Sequence, residues 1–398
     1  MRGTTGAFLG LRQLHAVRVG VVRVTTAGRR GSGAAGQTTA KQTGRGVAER
    51  QIQADSGAPQ LDLLPRRPAA PLPRLPVLDE RSRGTKFIRL PVRSVLNTPA
   101  STHMGFWSIN PYVGCEFGCT YCYARDTHRW VMERAGRRTD GQAFEKEILV
   151  KSEVAEVLAR TLDPARLAGH SLVIGTATDP YQPAERRFRL TRRILEVLRS
   201  YHGLSIGIIT KSALITRDLD LLQALSKHNE VTVNISLATA DARLARRLEL
   251  RSPVPAVRLR ALRRLTDGGI HAGLIVAPIV PGVTDDWAGL ARLLEAAKEA
   301  GARYVVGSAL RLGPAARHRF LPFLEQEFPE LAERYRRHYA GKDHVSQSYQ
   351  DALSRRLRLL QQAYGFPVDE AGGRRRQQLE GRAPQKDASA LEEQAVLL

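Results

Sequence analysis

The sequence predicts an α/β fold: a partial TIM-like barrel of six strand–helix units, (β/α)6, followed by a C-terminal helical extension. Short runs rich in β-branched residues recur through the middle of the 398-residue chain. Longer segments of helical period separate them, and two of those segments end on glycine, a usual helix stop.

Taken in order, a first strand is expected near FWSINPYVG (106–114). SLVIGT (171–176), LSIGIIT (204–210), EVTVNIS (230–236), HAGLIVAPI (271–279) and ARYVVGSAL (302–310) follow it. The amphipathic stretches between them are LTRRILEVLRSY (190–201), TRDLDLLQALSKH (216–228), PAVRLRALRRLTDGG (255–269) and DDWAGLARLLEAAKEAG (285–301). Such alternation puts the strands in one parallel sheet covered by helices, with chemistry expected at their C-terminal ends. FLPFLEQEFPELAERYRRHY and SYQDALSRRLRLLQQAYG read as helices packing against this core. The expected limits are 86–310 for the core and 311–370 for the extension.

The ends differ in composition. Residues 1–85 are expected to form a disordered basic leader and Pro-rich linker, with RRPAAPLPRLP (66–76) polyproline-like. The first residues also have the Arg-rich, acid-poor look of an organellar transit peptide, although a disordered leader is the favoured reading. Residues 371–398 are expected to be a disordered tail.

Hydrophobic residues make up 42% and charged residues 25% of the chain, which places it among soluble globular proteins. No apolar run approaches a membrane span. The net charge is +22, and residues 1–90 hold half of the excess, with sixteen Lys/Arg against five Asp/Glu. The remainder suits either a nucleic-acid partner or a solvated arginine-rich surface. There is no G-x4-GK[ST] phosphate loop, and no Ser-His-Asp order can be argued.

All three cysteines lie within CEFGCTYC (115–122). An odd, clustered set excludes a disulfide framework and points to a reducing compartment, hence a cytoplasmic location. Spacing C-x3-C-x2-C puts three soft ligands on one loop between a strand and a helix. An iron–sulfur cluster would leave one iron open to a small molecule, whereas zinc would need a fourth ligand such as His128. A redox dithiol would leave Cys115 unexplained.

CEFGCTYC resembles the C-x3-C-x-Φ-C signature of radical S-adenosylmethionine (radical SAM) enzymes, with Tyr121 as the aromatic Φ. From about residue 90 to 365, NPYVGCEFGCTYCYAR, GTATDPYQPAE (175–185), TKSALITRD (210–218), RRLELRSP (246–253) and APIVPGVTD (277–285) appear in order. Together they resemble the branch containing spore photoproduct lyase, and above all its uncharacterised bacterial relatives. The resemblance implies a radical SAM barrel whose Cys115, Cys119 and Cys122 hold a 4Fe–4S cluster, with S-adenosylmethionine chelating the fourth iron. Reductive cleavage would then give a 5′-deoxyadenosyl radical acting on a substrate the sequence does not name. A flavodoxin- or ferredoxin-type electron donor is expected.

Individual roles follow from the same resemblance. Tyr121 would lie beside the adenine, Thr176 and Asp179 would meet the amino group, and Lys211 would pair with the carboxylate. Ser236 would bond ribose or carboxylate, and Ala277 and Pro278 would form the edge touching adenine. Four have a plainer alternative: Tyr121 as a packing aromatic, Asp179 as a cap of the turn before Pro180, Lys211 as a solvated lysine and Ser236 as a turn serine. Arg247, Glu249 and Arg251 stand between a role in the site and helix-end ion pairing. The sequence departs from spore photoproduct lyase in having no further cysteine to return a hydrogen atom, so DNA photoproduct repair is a secondary reading. A zinc module and a nucleic-acid-binding protein with an architectural cluster are the rivals outside enzymology.

Overall fold

The computed structural model describes residues 77–80, 84–102, 104–134, 143–368 and 385–386. The basic leader, the linker at 66–76 and nearly all of the tail lie outside the described residues.

Six strands form the expected sheet: β1 (Trp107–Ile109), β2 (Ser171–Ile174), β3 (Ser205–Thr210), β4 (Glu230–Ser236), β5 (His271–Ile279) and β6 (Val305–Ala309). They pair in chain order and every pair is parallel. A two-residue strand, Leu96–Asn97, adds an antiparallel edge beside β1, and the described sheet is open rather than closed into a ring. The strands that read as apolar runs have two distinct faces. Ile206 and Ile208 of β3 and Val231, Val233 and Ile235 of β4 are fully buried among helix side chains. Burial of each such side chain stabilises by roughly 1.5–3 kcal/mol. Gly207, Ile209, Thr232 and Asn234 alternate with them and are half-buried on the concave side.

The helices are α1 (Ala124–Arg134), α2 (Val154–Thr161), α3 (Leu190–Leu198), α4 (Leu219–Ser226), α5 (Ala242–Leu248), α6 (Pro255–Asp267) and α7 (Trp287–Glu299). Pro255 starts α6, where its missing N–H costs nothing, and Gly268–Gly269 end it. Asp286 caps α7 by accepting from Gly289 N at 2.7 Å.

A second, smaller sheet was not expected as such, and it takes the end of the strand expected at 106–114, which the structure splits into Trp107–Ile109 and Tyr112–Val113. Its order is Val77–Glu80, Lys86–Arg89, Glu147–Val150, Tyr112–Val113. The first of these strands falls within the segment expected to be disordered, so regular structure begins before residue 85. The last runs directly into the cysteine loop and fixes its entry. The extension forms α8 (Pro314–Glu327), α9 (Pro329–His338) and α10 (Gln347–Ala363). Helix α10 joins the main core through Leu353, Leu357 and Leu360. Helices α8 and α9 instead build a separate core with the cysteine loop, bringing Phe320, Leu324 and Tyr335 together with Phe117, Cys119 and Tyr121.

Candidate cofactor and metal site

The cysteine loop follows β1 at the C-terminal edge of the sheet. Gly114 turns the chain into it with φ of +89°, and a Cβ there would stand 2.9 Å from the Phe144 carbonyl. That carbonyl accepts from Cys115 N at 2.9 Å, so only glycine lets the two segments meet this closely. The Gly114 carbonyl accepts from Thr178 Oγ1 at 2.6 Å and Gln182 Nε2 at 3.1 Å, both in the loop after β2. Gln182 also accepts from Glu116 N at 3.0 Å.

The RRLELRSP segment clamps the other side. Thr120 donates to the Leu248 carbonyl through both N and Oγ1, at 3.0 and 3.1 Å. Arg251 N donates to the Phe117 carbonyl at 3.0 Å, and its Nε donates to the Glu116 carbonyl at 2.5 Å. Cys119 and Glu249 form an isolated antiparallel bridge, and Ser252 Oγ lies 3.7 Å from Cys119 Sγ. Glu249 and Arg251 therefore hold the loop, whereas Arg247 pairs with Glu327 at 2.6 Å and ties α5 to the extension.

Beneath the loop lies a buried ionic cluster. Glu249 and Arg258 are almost fully buried and ion-paired, and Glu249 also accepts from the Tyr121 hydroxyl. Lys211 Nζ is 3.5 Å from the same carboxylate. Burial by itself would push Glu249 up, but Lys211, Arg258 and Tyr121 together bring it down to about 2. Arg258 also donates to the Ser236 and Pro253 carbonyls at 2.9 and 2.7 Å.

The residues expected at the strand ends divide into two groups. Lys211 Nζ donates to Ser236 Oγ at 2.6 Å, Ser236 Oγ donates to the Ala277 carbonyl at 3.4 Å, and Pro278 follows Ala277 through a cis peptide. Lys211 also stands 5.8 Å from the Tyr121 ring centroid. Tyr121, Lys211, Ser236 and Ala277 are thus in one chain of contacts, with Pro278 adjoining it. Thr176 and Asp179 are held differently. Thr176 Oγ1 accepts from Asn110 at 3.1 Å, and its carbonyl accepts from the Tyr123 hydroxyl. Asp179 accepts from Tyr181 N, Thr210 Oγ1 and Lys211 N at 2.9, 2.7 and 2.7 Å. Its carboxylate ties the β2 loop to the end of β3, and burial outweighs those donors enough to raise its pKa.

Burial raises all three thiols: Cys119 to about 12, with Glu249 contributing, Cys115 by burial and then Asp179, and Cys122 by burial. Cys119 and Cys122 each reinforce the rise at Cys115, so the three sulfurs sit within one another's field. A cationic centre that takes the place of the thiol protons fits this set, because thiolate ligation is coupled to proton release. His128 lies buried on α1, with Nε2 3.3 Å from the Glu147 carbonyl and its ring edge-on to Phe144. Among the described residues, no three His, Cys, Asp or Glu side chains are grouped so as to hold a single metal ion.

Asn110, Thr178, Gln182, Ser252 and Arg258 escaped the sequence reading. Arg258 had a usable signal, since it occupies the apolar stripe of α6 with Pro255, Ala261, Leu262 and Leu265. An arginine there must bring its own partner.

The family model for the radical SAM superfamily matches residues 109–294, from the end of β1 to within α7. An uncharacterised protein of Mycobacterium tuberculosis is 34% identical over 288 residues, 72% of this chain and 83% of its own length. An uncharacterised protein of Methanocaldococcus jannaschii is 26% identical over 257 residues, covering 62% of this chain and 86% of its own. In fold, the chain is similar to a variant of spore photoproduct lyase, with a TM-score of 0.52 at 16% identity over 70% of this chain and 79% of that one. With the matched region spanning both the three-cysteine loop and the strand ends that face it, the chain belongs to the radical SAM superfamily.

Proposed function

We propose that this protein is an enzyme that cleaves S-adenosylmethionine reductively at a 4Fe–4S cluster held by Cys115, Cys119 and Cys122. When bound, the cluster and S-adenosylmethionine supply one-electron scission of a sulfur–carbon bond and a carbon radical for hydrogen abstraction. The chain's own residues bind and orient. Lys211 offers a fixed cation to the S-adenosylmethionine carboxylate, and Ser236 offers a hydroxyl beside it. Ala277 and Pro278 border the adenine, with Tyr121 facing them from the cysteine loop. Thr176 is the candidate for the amino group. Asp179, with three donors already on its carboxylate, positions the β2 loop and Lys211.

The observation that carries this reading is the contact chain from Tyr121 through Lys211 and Ser236 to Ala277, which links the loop to three strand ends. The zinc alternative is less well supported. Zn–S bonds of about 2.3 Å would pack the ligand sulfurs around one point, and His128 spends Nε2 on a backbone carbonyl. A four-iron cube takes one thiolate per corner and suits thiols spread along a loop. Anaerobic reconstitution with iron and sulfide, then S-adenosylmethionine and dithionite, should give a brown protein that makes 5′-deoxyadenosine. Cys119→Ala should abolish it. A colourless, zinc-loaded protein would overturn the reading.

A further inference from the structure

Beside the cysteine loop lies a cavity of about 300 Å³ that none of the residues assigned to S-adenosylmethionine lines. Phe117 of the loop, Ser212 after β3 and Ser252 of the clamp form part of its wall, and Arg186, Arg246 and Arg251 complete a basic rim. We propose that this cavity is the docking point for an acidic protein that delivers single electrons to the cysteine-bound centre. The inference rests on the function proposed above and names a partner for the same site.

Position is the first argument. Ser252 lines the cavity and its Oγ is 3.7 Å from Cys119 Sγ, so an occupant is one side chain away from a ligand sulfur. Lys211 and Ser212 are adjacent in the chain, yet Lys211 reaches toward Ser236 and Glu249 while Ser212 lines the cavity. The cofactor residues thus gather on one side of this strand end and the cavity lies on the other. A substrate must meet the reactive carbon on the Lys211–Ala277 side. An electron has only to reach the sulfur-bound iron.

Charge is the second argument. Arg251 is partly answered by Glu145 at 2.8 Å. Arg246 donates only to the Leu250 and Ser252 carbonyls, and neither it nor Arg186 has a carboxylate partner among the described residues. The rim therefore carries excess positive charge, which speeds encounter with an acidic surface and makes it salt-dependent. Size is the third. A cavity this small admits a protruding acidic side chain or a phosphate edge rather than a whole redox cofactor, and redox encounters are at the small end of protein interfaces. In the transfer, the donor's cofactor is oxidised by one electron and the iron–sulfur centre is reduced by one. No bond forms or breaks at the cavity.

The test uses the full-length protein and a bacterial flavodoxin, an acidic flavin mononucleotide protein, as probe. Binding is measured by calorimetry at 50 and 300 mM KCl for wild type, Arg186→Glu and Arg199→Glu. Arg199 carries the same charge change at the opposite end of the sheet, just after α3. We expect wild-type affinity to fall with salt, Arg186→Glu to bind about tenfold more weakly at low salt, and Arg199→Glu to stay near wild type. Electron transfer from flavodoxin hydroquinone, followed by flavin absorbance, should slow in parallel. Flavodoxin that fails to bind, or that binds Arg186→Glu as well as wild type, overturns the proposal. So does a single-stranded oligonucleotide that binds instead and loses affinity in Arg186→Glu, which would make the rim a nucleic-acid surface. Binding can be read without a cluster, so the two failures are distinguishable: lost salt-dependent binding overturns the docking site alone, whereas failure to take up iron and sulfide sinks the proposed function and the electron delivery with it.

Discussion

Replacing Arg258 by Met strips a buried carboxylate of its buried partner. In the wild-type protein the pKa of Glu249 is held at about 2 against an ordinary 4.5. At about 1.4 kcal/mol per pH unit, the ionic cluster favours the charged carboxylate by roughly 3 kcal/mol after burial has been overcome. Without the guanidinium, Glu249 keeps Lys211 and the Tyr121 hydroxyl but loses its closest cation, and the Ser236 and Pro253 carbonyls lose their donor. Breaking a buried pair by removing one member costs about 3–5 kcal/mol, and Arg258→Met should fall in that range. The assay is urea unfolding followed by far-ultraviolet circular dichroism at pH 7 and pH 4.5. A carboxylate lowered by its partners contributes stability above pH 4.5 that is lost as pH falls through 2. In the variant Arg258 no longer helps to lower the carboxylate, so the stability lost with it is greatest at pH 7 and shrinks on acidification. Arg258→Met combined with Glu249→Gln should recover part of the loss, because neither charge is then stranded. A loss under about 1 kcal/mol, or a double variant whose effects simply add, would refute this account.

Three further outcomes can be checked. His128 is buried, and its pKa is lowered to about 4 by burial, with Arg125 adding. It should contribute up to about 3 kcal/mol above pH 6.5 that disappears as pH falls through 4, and His128→Gln should flatten the urea midpoint across that window. Gly114→Ala puts a Cβ at a left-handed φ and 2.9 Å from a backbone oxygen. We expect weaker iron incorporation on reconstitution, read as iron per chain, with the far-ultraviolet spectrum retained. Asp126 Oδ1 accepts from Ala315 N at 2.8 Å and so caps α8 from another helix. Asp126→Ala should cost about 1 kcal/mol and speed amide exchange in the first turn of α8, while Asp126→Asn should stay near wild type.

What could be read from sequence was local. The six parallel strands stood out because each is a short β-branched run between helical segments, and Pro255, Asp286 and Gly268–Gly269 mark helix ends by rules that span only a few residues. The three-cysteine loop was legible as a candidate ligand set because thiols so spaced have few other uses. Long-range pairing was not legible. Lys86–Arg89 and Glu147–Val150 are four-residue strands about sixty positions apart, and neither carries a pattern that names the other. RRLELRSP drew notice as one of the stretches that carry the family resemblance, but its hold on the cysteine loop runs through contacts to residues some 130 positions earlier. The two-faced character of β3 was hidden because Ile209, on the concave side, is as apolar as Ile206 and Ile208 on the helix-covered side, so the run does not alternate in hydropathy.

The order in which the chain emerges from the ribosome gives the clamp a temporal meaning. Cys122 is synthesised well before Leu248–Ser252, and later still come the α8 and α9 residues that pack over the loop. At about 5–20 residues per second, roughly ten to forty seconds separate the last cysteine from Tyr335 of α9. Through that interval the thiols stand on a strand-ended loop with neither wall in place. The proposed cluster would therefore meet least obstruction on the nascent or freshly released chain, and reconstitution of the finished fold should be slower than loading during synthesis.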